Sequence, residues 1–227
     1  MLDAIRRKKS NRTGQGRKWL SAASAEIQET CQNSAMSELT RGRLLAHEKI
    51  YEGRIVSLEV DQIEIGGRTY LREVVRHPGG VVILALAQDG RIPFVRQHRY
   101  PPEEVLLELP AGKLDRGEDP ETSAARELEE ETGLRPLRMQ KVFSFYTSPG
   151  FCDELLHLYF AAEVETTQPN PEADESLTLE FYRFDEALAL VNQGEIRDGK
   201  TILALLWYAG RTSGSYSAPS PRETHLR

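Results

Sequence analysis

Apolar and polar positions along this chain settle into regular periods only from about Leu44. From there RIVSLEVDQIEI alternates apolar with polar residues, Gly66-Gly67 supplies a turn, and RTYLREVVRH resumes the alternation, which predicts antiparallel strands. VVILALA is a continuous apolar run of strand length, the pattern of a strand covered on both faces. Gln88-Asp89-Gly90 turns the chain into RIPFVRQHRY, and VLLELPAG reads as a further short strand.

The period then changes. Asp119 is placed to cap a helix whose first turn tolerates Pro120, and Gly133 fits the position that ends it. MQKVFSFYT and ELLHLYFAAEVE return to strand, TTQPNPEADES reads as a polar loop, and LTLEFYRF as a last strand. DEALALVNQG and GKTILALLWYAG read as closing helices, and no internal repeat is visible. Strands on either side of one acidic helix predict a mixed α+β domain whose sheets need cover on their outer faces.

Composition narrows the setting. The 227 residues provide for one substantial domain plus tails, or two small domains. The organised part is expected over 44–211, with 212–227 a loose Ser/Pro-rich tail and 1–43 a basic, disordered extension. Residues 1–18 are rich in Lys and Arg with Asp3 as their acid, so a targeting peptide is a sharper reading, against which stands the lack of an apolar core. A functional start at Met36 is a third. No apolar run reaches bilayer length, which argues against a membrane role. Cys31 and Cys152 cannot form a disulfide framework, so a reducing, cytoplasmic setting is expected. The net charge of −6 argues against nucleic acid as a partner.

The acidic helix raises the sharpest question. Glu127, Glu130 and Glu131 stand three and four residues apart and so share one face, whereas Glu129 points away from it towards solvent. Like charges at these spacings destabilise a helix by roughly 0.2–0.5 kcal/mol per pair. The last turn adds up to about 1 kcal/mol, because the helix dipole is negative there. Arg126 offsets part of this at Glu130, but one cation does not neutralise three anions. A divalent ion such as Mg²⁺ would, since it takes hard oxygen ligands and commonly also grips a substrate phosphate. A solvated acidic face is the bland alternative.

The surrounding spacing decides between them. Gly112, Glu118, Arg126-Glu127-Leu128, Glu130-Glu131 and Gly133-Leu134 fit the pattern G-x5-E-x7-R-E-U-x-E-E-x-G-U, with U apolar. Its seven fixed identities would coincide by chance on the order of once in 10⁸ registers. This run resembles the signature of the Nudix hydrolases. The resemblance implies the Nudix fold, an α/β/α sandwich of mixed β-sheets packed between helices, with an N-terminal antiparallel strand region. It implies hydrolysis of a diphosphate linked to another moiety, with Mg²⁺ as cofactor and Mn²⁺ as a possible substitute. Glu127, Glu130, Glu131 and the carbonyl of Ala111 are then metal ligands, Glu118 an outer carboxylate, and Arg126 the residue that orients the glutamates. In this reading Ala125 and Leu128 face the core.

The flanks, from about Leu44 to Gly210, are similar to the ADP-ribose pyrophosphatase branch. YLREVVRHPGGVVILAL, VRQHRYP, LLELPAGKLDRGE, FYTSPGFCDELLHLYFA and DGKTILALLWY carry the likeness, and Pro149 sits sixteen residues beyond Gly133, a marker of that branch. The resemblance implies ADP-ribose as substrate, contacts from Arg72, Glu73, Arg99, Glu108 and Glu154, and a homodimer sharing its site through strands in 44–77. Arginine suits the phosphates because its fork bonds two oxygens at once. Tyr51 reads as a packed tyrosine, with stacking on adenine as the alternative.

The branch carries its general base on a loop after the motif, which points to Glu175, with Glu172 and Asp174 as alternatives. His77 and His157 lack metal-ligand spacing, and Cys152 lacks a base to activate it. Two other functions share these features. One is hydrolysis of ADP-glucose, GDP-mannose or another nucleoside diphosphate sugar. The other is a nucleotide-sugar sensor without catalysis.

Overall fold

The computed structural model describes residues 42–170 and 177–214. In chain order the elements are β1 (Arg43–Glu52), β2 (Ser57–Ile65), β3 (Arg68–Arg76), β4 (Gly80–Ala85), β5 (Ile92–Arg99), β6 (Glu104–Glu108) and β7 (Ala111–Lys113). Then follow α1 (Pro120–Thr132), β8 (Leu134–Tyr146), β9 (Leu155–Thr166), β10 (Leu177–Tyr182), α2 (Phe184–Gln193) and α3 (Gly199–Thr212). β1, β2 and β3 hydrogen-bond in that order.

The chain divides into two compact units, Met1–Leu44 with Ile63–Tyr70, and Leu45–Gln62 with Leu71–Arg227. In the first, the described residues include the turn at Gly66 and Gly67 and an ion pair between Arg43 and Glu64 at 3.2 Å. The second holds a sheet of order β10-β5-β6 and one of order β7-β4-β9-β8. In the latter, β4 runs parallel to β9 while β7 and β8 are antiparallel to their neighbours.

The apolar run at β4 explains the layering. All six of its residues are buried, and alternate side chains go to opposite faces. Val82 and Leu84 pack with Leu158 and Phe160 of β9 and with Ala204, Leu205 and Trp207 of α3. Val81, Ile83 and Ala85 pack with Ala124 and Leu128 of α1 and with Tyr159 of β9. Helices therefore cover both faces of the mixed sheet, as the α/β/α expectation requires.

α1 starts and stops where its sequence directs. The Asp119 carboxylate accepts the Glu121 and Thr122 N–H groups, each at 3.1 Å, and Gly133 closes the helix at φ 66° with its N–H on the Glu129 carbonyl at 2.8 Å.

Four details differ from expectation. Ala124 is the alanine buried beneath α1, and Ala125 is half-buried, because a 100° step moves the core-facing boundary by a whole residue. VLLELPAG is two strands. β6 pairs with β5 and β7 with β4, and the break falls at Leu109-Pro110, where proline has no N–H to continue a ladder. β8 begins at Leu134 directly after the helix-ending glycine, not at Met139. Glu129 does not simply face solvent, since Arg135 grips it through two bonds of 3.0 and 2.8 Å.

Replacing the helix cap, Asp119→Ala, is expected to lower unfolding stability by about 1 kcal/mol. A urea titration against the wild type measures it.

Candidate functional site

Arg126 gathers the acidic residues. Its Nε and Nη2 donate to Glu118 at 3.1 and 3.2 Å, and its Nη1 lies 2.9 Å from Glu130 and 3.0 Å from Glu127. The Glu118 hydrogen bond, with the charges of Glu127 and Glu130, holds the guanidinium above its ordinary pKa against the cost of burial. Glu118 is in turn held below the usual carboxylate range, chiefly by Arg126. One guanidinium thus serves three carboxylates, with a fourth, Glu131, one turn on.

Glu127 and Glu131 are buried, and both lie against the short turn that begins β7. A Cβ built on Gly112 would stand 2.0 Å from the Glu127 carboxyl carbon, so only glycine admits the carboxylate there. Glu131 accepts the Ala111 N–H at 3.1 Å. The register explains why that group is available. The Ile83 N–H bonds the Pro110 carbonyl at 2.9 Å, and the next residues along the same antiparallel register are Val82 and Ala111. Val82–Ala111 is therefore a non-hydrogen-bonded pair, in which the N–H and C=O of Ala111 both turn away from β4. β7 is the edge strand of its sheet, so the Ala111 carbonyl is directed to the same open side as the Glu131 carboxylate.

This donor set fits a hard divalent cation. Two carboxylates lie beside a carbonyl that the ladder does not use, and all the donors are oxygen. Among the described residues, no three His, Cys, Asp or Glu side chains stand ready-grouped around one ion position. Arg126 draws Glu118, Glu130 and one oxygen of Glu127 to itself. A bound ion would compete with that guanidinium for Glu127 and Glu130.

A cleft of about 600 Å³ opens beside this turn, lined in part by Ala111, Gly112, Lys113, Arg99, Lys200 and Glu154. Arg99 reaches it from the end of β5, and its fork grips Glu108 at 2.8 and 2.7 Å. Glu108 is 1% exposed and also bonds Lys200, which lies 3.0 Å from Asp198. Burial alone would raise the Glu108 pKa, but Arg99 and Lys200 outweigh it and hold the carboxyl below its usual range. Glu108 thus sits behind Arg99, with both oxygens engaged by protein cations.

Glu154, also at the cleft, accepts from the Thr147 hydroxyl at 2.7 Å and stands 3.5 Å from His77 Nδ1. That nitrogen accepts the Gly79 N–H at 3.0 Å. Arg72 and Glu73 are exposed on β3, and other residues line the cleft. Tyr51 is exposed on β1 and not packed. His157 is buried on β9 against the Ser144 hydroxyl at 2.7 Å, with its pKa lowered first by burial and then by Lys141.

Glu172, Asp174 and Glu175 lie outside the described residues. The segment before them is anchored on the acidic helix, where Asn170 N–H bonds the Glu130 carbonyl at 2.8 Å and Thr167 N–H the Gly133 carbonyl at 2.7 Å. Sequence reasoning passed over Lys200 and Asp198. The one available signal was DGKT at a helix start, with Asp198 as the cap.

Comparison with known proteins shows the family and the fold. A NUDIX domain family model matches residues 76–205. The chain is 42% identical over 166 residues to an ADP-ribose pyrophosphatase of Bacillus subtilis, covering 72% of this chain and 90% of that protein. It is 42% identical over 173 residues to a methanol dehydrogenase activator of Bacillus methanolicus, covering 75% and 94%. A GDP-mannose pyrophosphatase of Cronobacter sakazakii is 37% identical over 150 residues, covering 59% and 78%. A crystal structure of an ADP compounds hydrolase superposes with a TM-score of 0.70 at 18% identity, over 79% of this chain and 98% of that one, and shows the likeness of fold.

Two outcomes follow from the geometry. Gly112→Ala is expected to displace Glu127 and weaken Mn²⁺ binding by at least about tenfold, read by calorimetric titration, with an unchanged far-UV circular dichroism spectrum. Glu108 has a depressed pKa in the folded state, so its contribution is present above the ordinary glutamate range and is lost as pH falls towards the depressed value. Glu108→Gln should therefore show a shallower acid-side loss of stability than the wild type, measured as the urea midpoint against pH.

Proposed function

The chain belongs to the Nudix family, and we propose that it hydrolyses the diphosphate of ADP-ribose to AMP and ribose 5-phosphate, with Mg²⁺ as cofactor and Mn²⁺ able to replace it. The observation that carries this reading is the meeting of Glu127 and Glu131 with the Ala111–Gly112 turn, beside a cleft walled by Arg99 and Lys200. The 42% identity to a protein named ADP-ribose pyrophosphatase supports the choice of substrate.

Ala111, Glu127, Glu130 and Glu131 would hold the metal, which supplies charge neutralisation of the diphosphate and activation of water. Arg126 holds Glu130 and Glu118 in register and keeps the carboxylates from splaying. Arg99, fixed by Glu108 through Nε and Nη2, keeps its Nη1 edge away from that carboxylate and available to phosphate. Glu154 would accept from a sugar hydroxyl. Arg72 and Glu73 contact substrate from β3 in the shared site of a homodimer. Glu175 would take the proton of the attacking water, with Glu130 supporting the metal.

The dimer is supported by the exposure of every residue of β1, including Leu45, Ile50 and Tyr51, with Leu71 on β3. A cytoplasmic setting accords with the free Cys152. None of the described helices is long and apolar enough to cross a membrane.

A second reading, hydrolysis of another nucleoside diphosphate sugar, is favoured by the likeness to a GDP-mannose pyrophosphatase. Product analysis separates the two. ADP-ribose should yield AMP and ribose 5-phosphate in Mg²⁺ and nothing in EDTA, with ADP-glucose and GDP-mannose turned over far more slowly. Equal turnover of GDP-mannose would overturn the narrower choice. Glu131→Gln should fold normally and lose several orders of magnitude in kcat. A Glu175→Gln enzyme with wild-type kcat would remove that residue as the base.

A further inference from the structure

The crossing between the two sheets of the second unit is held from the side away from the acidic helix. Leu109 and Pro110 belong to neither β6 nor β7, and Leu109 takes no bond from the β4 register. The Pro110 carbonyl is held by Ile83, as described above. The Leu109 N–H donates to the hydroxyl of Thr201, 92 residues further on, at 2.8 Å. Thr201 is fully buried, and its hydroxyl hydrogen is spent on Asp198 Oδ2 at 2.6 Å. With that hydrogen committed, the oxygen faces Leu109 only as an acceptor. The neighbouring residue of the same helical turn, Lys200, bonds Glu108. Two successive residues, Glu108 at the end of β6 and Leu109 just beyond it, are thus gripped by two successive helix residues, Lys200 and Thr201.

We propose that Thr201 is a positioning residue for the metal, acting through the Leu109 N–H to fix where the Ala111 carbonyl stands beside Glu131. The inference rests on the metal-dependent reading above. From Leu109 the backbone runs one proline, with its fixed φ, to Ala111, whose N–H is tied to Glu131. Without the Thr201 bond the turn keeps its ties to Ile83 and Glu131 but loses the one on the β6 side, and the carbonyl gains freedom relative to the carboxylates. With both ends tied, the carbonyl position is set before any ion binds, and groups behind the direct ligands commonly tune metal affinity in this way.

The competing explanation is that Asp198 and Thr201 merely cap α3. Capping uses the Thr201 backbone N–H, which donates to Asp198 at 3.0 Å. Thr201→Val keeps that bond and the side-chain volume, and removes only the hydroxyl that Leu109 and Asp198 share.

The test is Mn²⁺ affinity without substrate, measured by electron paramagnetic resonance on the full chain. Thr201→Val should raise the Mn²⁺ Kd on the order of tenfold, and Thr201→Ser, which restores the hydroxyl, should return it to within about twofold of wild type. Should Thr201→Val not fold, Asp198→Asn keeps a competent cap, weakens the acceptor that orients the hydroxyl, and carries the same comparison. A folded Thr201→Val protein with wild-type Mn²⁺ affinity and only a lower Tm would overturn the proposal and leave a helix cap. A wild type that binds Mn²⁺ yet hydrolyses no nucleoside diphosphate sugar would count against the proposed function and leave this comparison standing.

Discussion

The approach of two buried carboxylates, Glu127 and Glu131, to the backbone at Ala111 and Gly112 is the constraint on which the rest of this molecule depends. Such an approach is unfavourable taken alone. The charges lie in the last two turns of α1, Glu131 at the negative end of its dipole, and burial strips water from them. What makes it tolerable is local and specific. Glycine leaves room for one carboxylate, an off-ladder N–H satisfies the other, and Arg126 spans the remainder. Arg126 bonds three of the four carboxylates and Arg99 feels the charge of the fourth, Glu131, and under the proposed function a divalent cation completes the arrangement.

The surrounding fold serves that approach. α1 is pressed onto β4 by Ala124 and Leu128, which sets the height of its glutamates above the sheet. The opposite face of the same strand packs on α3, whose first turn supplies Lys200 to Glu108 and so holds Arg99 at the cleft. β4 is thus the shared wall between the acidic side and the cationic side. Its all-apolar sequence follows from that position, since a polar side chain on either face would sit in a core without a partner.

Much of this was legible in the chain, for identifiable reasons. VVILALA announced a strand covered on both faces because no polar residue interrupts it, and Asp119, Pro120 and Gly133 announced α1 because their roles are set by neighbouring atoms. The glutamate spacing named its own chemistry, since a helical repeat fixes which side chains share a face. The division of VLLELPAG was not legible, because an alternating pattern reads the same whether one sheet or two receives it. Nor was the choice of Ala124 over Ala125 beneath the helix, where adjacent alanines straddle the edge of the buried face. Lys200 and Thr201 escaped notice because their partners lie 92 residues away, and no local spacing records such a pairing. The cleft-facing sides of Arg99 and Glu108 were similarly hidden. One reaches the opening and the other stands behind it.

The central claim is that a cation completes the cluster of carboxylates at the end of α1. Anomalous scattering from crystals grown with Mn²⁺ and a non-hydrolysable ADP-ribose analogue tests it most directly. The account predicts a strong anomalous peak within bonding distance of Glu127, Glu131 and the Ala111 carbonyl, with Arg126 withdrawn from Glu127. A map without density there, the guanidinium still holding all three of its carboxylates with the analogue bound, would contradict it.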